Sequence, residues 1–85
     1  MRPVLHVFAR SRDKEFFKGE AYSVTSLNDK GVFNVLPRHE NFVALIYNYL
    51  LIDQPEKGKI KIDLAGEAVI RVYRDNVDIF LSLAK

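Results

Sequence analysis

Apolar and polar residues alternate with a period of two along most of this chain. The clearest case runs from Lys59 to Leu64, where Ile60, Ile62 and Leu64 point one way and Lys59, Lys61 and Asp63 the other. That pattern predicts a strand with one buried face. Ile70 and Val72 share a face of the next run, and Val77, Ile79, Leu81 and Leu83 share a face of a last strand beyond Asp75 and Asn76. Asp and Asn tolerate the left-handed backbone of a tight hairpin, so Arg74 to Val77 is expected to form its tip. Counting outward from that tip sets Val72 opposite Ile79 and Ile70 opposite Leu81 on the inside. On the outside Tyr73 faces Asp78, and Arg71 faces Phe80, on whose ring its guanidinium can stack.

The N-terminal half repeats the alternation. Leu5, Val7 and Ala9 oppose His6 and Phe8, and a polar break follows from Arg10 to Glu15. A second strand starts at Phe16, with Gly19 expected as a bulge or bend, and Tyr22 to Leu27 continues in extended form. Asn28, Asp29, Lys30 and Gly31 form a turn. Phe33 and Val35 then carry a short strand to Pro37, whose fixed φ and missing amide end it. A corner follows through Arg38, His39, Glu40 and Asn41.

The run from Phe42 to Ile52 also fits helical spacing at Phe42, Leu45, Ile46, Tyr49 and Leu50. Its aromatic and β-branched residues favour a strand, and its neighbours need partners for their edges. Gln54 to Gly58 is a loop. The whole predicts one all-β domain over residues 1–85, a sandwich or a barrel of short strands.

Composition narrows the function. Of 85 residues, 48% are hydrophobic and 28% charged, enough for one core and unlike a disordered chain. The net charge of +2 is spread evenly, without the basic arm or motif of a nucleic-acid binder. Cysteine is absent, which excludes disulfides, thiol catalysis and Cys-ligated zinc. The start lacks a signal-peptide pattern, and the longest apolar stretch is broken by Asn48 and too short to span a bilayer. A soluble chain is expected.

Chemistry-bearing patterns are sparse. There is no glycine-rich phosphate loop and no nucleophile elbow, and His6 and His39 lie far apart with no ligand at metal-like spacing. Neither catalytic residues, nor a cofactor, nor a metal are expected. Lys57, Lys59 and Lys61 alternate outward and suit a solubilising, aggregation-blocking edge better than a contact with anionic lipid.

One pattern is specific. Phe17, Gly19, Glu20, Ser23, Val24 and Thr25 precede Gly31, Phe33, Val35, Leu36, Pro37 and His39. In order and spacing this resembles the N-terminal β-sandwich of the epsilon subunit of F-type ATP synthases, which reads Phe-x-Gly-Glu, an extended Val-Thr run, a Gly turn and a Leu-Pro-x-His corner. Val72, Asn76, Val77 and Ile79 resemble that family's closing hairpin more weakly. Departures include Asn34 in place of a glycine, Glu40 and Asn41 in place of Ala-Pro, and Tyr47, Asn48 and Tyr49 where the family has a Lys-Pro-Gly turn. Gly66, Glu67 and Ala68 replace its Ser-Gly-Gly. The family's two-helix C-terminal domain has no counterpart before Lys85.

The resemblance implies an epsilon-like two-sheet β-sandwich of about eight to ten short strands, and a non-catalytic rotor subunit that links the gamma subunit to the c-ring and couples ion flow to ATP synthesis. It implies a cytoplasmic location, peripheral to the energy-coupling membrane. Its gamma-subunit interface would include Arg38, His39, Val69, Arg71, Tyr73 and Phe80. Its c-ring contact loop would be Asn28, Asp29, Lys30, Gly31 and Val32. Turn geometry alone also selects those loop residues, and His39 also suits bracing of its own corner. An alternative is a free-standing epsilon-like interaction module outside the synthase. A further one is a single-strand nucleic-acid binder that stacks bases on Phe16, Phe17, Tyr47 and Tyr49.

Overall fold

Alternation dictates strands, and in the computed structural model, which describes residues 2–81, seven of them follow in order. They are β1 (Leu5–Arg10), β2 (Glu15–Ala21), β3 (Ser23–Asn28), β4 (Gly31–Val35), β5 (Phe42–Gln54), β6 (Gly58–Tyr73) and β7 (Asn76–Leu81). The ambiguous apolar run is strand throughout β5. Leu83 lies outside the described residues.

Hydrogen bonding joins the strands in the order β2-β1-β7-β6-β5-β3-β4. Neighbours pair antiparallel except β1 and β7, which run parallel. β2 and β5 nevertheless touch, although three strands separate them in that order. The ladder therefore folds back on itself. All seven strands give buried side chains to one apolar cluster, among them Leu5, Ile46, Leu50, Ile52, Ile70 and Ile79. Full burial of a side chain of this size contributes roughly 1.5–3 kcal/mol.

The fold-back occurs in the two long strands. β5 and β6 pair through residues 42–47 with 67–72 and again through 49–54 with 58–63, with a register shift between Tyr47 and Tyr49. Asn48, at φ 73°, lies at that shift, where the resembled family has a turn. The chain bulges there instead of turning. Counting each half of β5 and β6 separately gives nine strand segments, within the expected eight to ten.

Two local expectations fail. Gly19 is no bulge: it pairs regularly with Val7, and the irregularity falls between Ala9 and Arg10. The Phe17 ring lies beside it, 3.4 Å from where a Cβ would stand, an ordinary contact distance. The last hairpin turns at Arg74 and Asp75, both with positive φ, and not at Asp75 and Asn76. Its register is two residues from that expected, with Val72 opposite Val77, Ile70 opposite Ile79, Tyr73 opposite Asn76, Arg71 opposite Asp78 and Val69 opposite Phe80. A shift of two preserves which side faces the core.

One end of the fold is tied by polar contacts. Asp75 Oδ1 accepts the Arg38 amide at 2.6 Å, and the Asp75 carbonyl accepts the His6 amide at 2.8 Å. Asn41 Oδ1 accepts the Arg74 amide at 3.1 Å. The β4–β5 corner is thus docked on the β6–β7 turn.

Candidate interaction surfaces

The outer face of β2, β1, β7, β6 and the first half of β5 forms a grid whose rows follow from the registers. One row runs Lys18, Phe8, Asp78, Arg71 and Val43. The next runs Arg10, Phe80, Val69 and Leu45. Cross-strand neighbours in such rows stand close enough to touch.

Leu45, Val69 and Phe80 are consecutive in one row, and Val43 adjoins Leu45 along its strand. Phe80 and Leu45 are each 45% exposed and Val43 66%. These four residues make a contiguous apolar patch, the kind of surface that marks a partner site. Val69 and Phe80 were expected here from the hairpin. Val43 and Leu45 were missed because their strand was ambiguous in sequence, although strand alternation from the buried Ile46 places both outside. Tyr73, 46% exposed, lies on the same face but is separated from Val69 by Arg71.

Beside the patch stands an ordered cluster of charge. The Arg10 guanidinium lies 4.1 Å from the Phe8 ring centroid and 4.0 Å from that of Phe80, between the two aromatics. Its Nη1 donates to Asp78 Oδ1 at 2.9 Å, while Arg71 Nη2 donates to Asp78 Oδ2, also at 2.9 Å. The expected stacking of Arg71 on Phe80 is therefore replaced. The two-residue register difference sets Arg71 opposite Asp78, and Arg10 takes the ring. Burial pushes the Asp78 carboxyl up, but hydrogen bonds and charge from Arg10 and Arg71 outweigh it and hold the group below its ordinary range.

Arg38 and His39 occupy the corner at one end of this face, both exposed. Arg38 has φ 68°, and its backbone N–H donates to Asp75 Oδ1. The His39 amide donates to the Leu36 carbonyl at 3.1 Å, its Nδ1 donates to the Glu40 carbonyl at 2.9 Å, and its ring lies 5.1 Å from that of Phe42. His39 braces its corner.

The turn of Asn28, Asp29, Lys30 and Gly31 joins β3 to β4, closed by Asn28 Oδ1 accepting the Lys30 amide at 2.8 Å and by Gly31 at φ 122°. Val32 follows, 66% exposed. Asn28 and Asp29 share a shallow hollow with Ala44, Leu45 and Tyr47. Leu45 thus connects this loop to the apolar patch. Arg38 and His39 stand at the opposite end of β4 from the loop.

Of the aromatics considered for base stacking, Phe16 and Phe17 are half-buried and packed on the core. Asn34, at the glycine position of the resembled family, has ordinary extended backbone, and its Oδ1 accepts a 2.6 Å bond from Thr25 Oγ1. Among the described residues no group of three His, Asp or Glu side chains gathers to hold a metal. No helix among them is long and apolar enough to cross a membrane.

No family model and no curated protein matches the chain. Solved structures do. A chain of the Euglena gracilis mitochondrial ATP synthase structure, OSCP/F1/c-ring in rotational state 1, matches with a TM-score of 0.84 at 18% identity, over 96% of this chain and 52% of that one. A chain of the Tetrahymena thermophila mitochondrial ATP synthase central stalk/c-ring structure matches with a TM-score of 0.72 at 11% identity, over 93% of this chain and 63% of that one. At these identities the likeness shows the fold: the small all-β domain is epsilon-like, as the central motif implied. The chain spans only about half to two thirds of the length of these neighbours.

Proposed function

We propose that this chain is a non-catalytic central-stalk subunit of an F-type ATP synthase, a single domain that links the gamma subunit to the c-ring. The observation that carries the reading is the fold match over 96% of the chain to a chain of an ATP synthase F1/c-ring structure. The surfaces fit such a duty. A torque-bearing link needs broad, rigid contact, and the patch of Val43, Leu45, Val69 and Phe80 sits on a paired sheet beside pinned arginines. In this reading that patch, with Arg38, His39, Arg71 and Tyr73, meets the gamma subunit. The loop of Asn28, Asp29, Lys30, Gly31 and Val32 meets the ring, and attachment through the complex makes the chain peripheral to the energy-coupling membrane.

The test is affinity purification of the tagged full chain from its own membranes in mild detergent. Recovery of gamma and c subunits, with loss of coupled ATP synthesis on deletion, is the expected result. Normal assembly and coupling without the chain would instead favour the free-standing module.

A further inference from the structure

The folded ladder leaves two open sides, and they are built differently. One is bounded by the outer edge of β2 and by residues 58–63 of β6, which among the described residues pair only with β5. Glu15, Lys18, Glu20, Lys59, Lys61 and Asp63 lie along it. Charges of this kind keep a bare edge from pairing with another chain, and the irregularity between Ala9 and Arg10 disturbs the β2 edge further.

The other open side is bounded by the outer edge of β4 and by residues 42–46 of β5, which among the described residues pair with β6 alone because β3 joins β5 only from Tyr47 onward. Neither segment contains a charged residue, a proline or a break in register. Phe33 and Phe42 line it, with ring centroids 6.0 Å apart, and Phe33 is only half-buried. Among the described residues the shortness of β4 is the one usual protection of an edge found here.

The backbone of β4 makes this side specific for an extended chain. A two-residue turn makes Asn28 and Gly31 a hydrogen-bonded pair. Alternation then gives Ser26 with Phe33, and Val24 with Val35, the remaining bonds to β3. The amide and carbonyl groups of Val32 and Asn34 point away from the sheet.

We propose that the uncharged edge of β4 is a strand-addition site. It takes an extended segment of a neighbouring stalk subunit that bonds to the backbone of Val32 and Asn34 and lays an apolar side chain over Phe33. This rests on the synthase reading. A second copy of this chain is the poorer occupant, because an edge of five residues supplies far less than the roughly 1,200 Å² that stable pairs of folded proteins bury. Continuity favours the stalk partner. β4 runs from the loop assigned to the ring to the corner assigned to the gamma subunit, so one segment along it meets both surfaces.

The test compares amide hydrogen exchange at Val32 and Asn34 in the free chain and in detergent-solubilised synthase carrying it. At least tenfold slowing of both amides on assembly is expected. Asn34→Pro removes the outward amide and fixes φ in a range an edge strand accepts, whereas Asn34→Ala keeps that amide, so incorporation should fall at least tenfold in the first and hold in the second. Assembly with unchanged exchange at both amides overturns the edge site and leaves the synthase reading standing. Equal incorporation of the two variants does the same. Failure of the unaltered chain to enter the synthase overturns both readings, and slowing in the free chain that rises with its concentration assigns the edge to a second copy and overturns the proposal. Should Asn34→Pro not fold, the exchange of the unaltered chain decides.

Discussion

The Ser26 hydroxyl donates a 2.7 Å hydrogen bond to the Tyr49 carbonyl, at the point where β3 changes register along β5. Ser26 is fully buried, so the bond satisfies its hydroxyl where water does not reach. Ser26→Ala removes this bond and is expected to cost about 0.5–1.5 kcal/mol. Urea unfolding at constant m-value measures it, and a change within a few tenths of a kcal/mol would show that the bulge holds without this bond.

The Arg10 cluster gives a pH signature. Asp78 titrates below its unfolded value of about 3.9, so its ion pairs add stability that is fully present above that value. The contribution disappears as pH falls through the lower folded value. Asp78→Asn should therefore lower Tm at pH 7 and flatten the loss of Tm between pH 5 and 2. Parallel acid profiles for the two proteins would contradict the assignment.

Arg74 holds φ 49° and Asn48 φ 73°, in a region that strains most side chains but that asparagine tolerates. Arg74→Gly relieves that strain and should stabilise by up to about 1 kcal/mol, offset in part by glycine's greater freedom when unfolded, whereas Asn48→Gly should change stability little. Asp75→Gly is the contrasting case. It relieves φ 66° but deletes the carboxylate that accepts the Arg38 amide, and should give no gain. Thermal melts of the three variants separate the effects.

Core and patch substitutions should dissociate stability from assembly. Ile70 and Ile79 are fully buried and directly opposed, so Ile70→Ala should cost about 2–5 kcal/mol. Val43→Ser removes a side chain that is 66% exposed and should leave Tm within a few degrees. Recovery of the Val43→Ser chain with the gamma subunit should nevertheless fall. Equal recovery would remove Val43 from the contact.

Period-two alternation made the faces of β1, β6 and β7 legible, because burial acts on each side chain singly: Leu5, Val7 and Ala9 are inside as expected. Registers depend on something less visible. The tip at Arg74 and Asp75 was hidden because an arginine at positive φ is chosen by the surrounding contacts, the Asn41 and Asp75 bonds above all, and not by its own preference. The same displacement concealed that Arg71 meets Asp78. The charge cluster required β1 beside β7, a pairing between distant segments for which local spacing carries no signal. Val43 and Leu45 stayed out of the expected site for a simpler reason: their run satisfies two periodicities.

The parallel pair of β1 and β7 sets a limit on how the protein is made. Arg10 and Asp78, joined side chain to side chain, are 68 positions apart. While a ribosome still holds the region around Asn76, β1 has only β2 to pair with, and an isolated two-stranded ribbon is barely stable in water. The sheet closes only after nearly all of the described chain has emerged. Such long-range closure slows folding, and nascent chains stalled before β7 should be open to protease where longer ones resist.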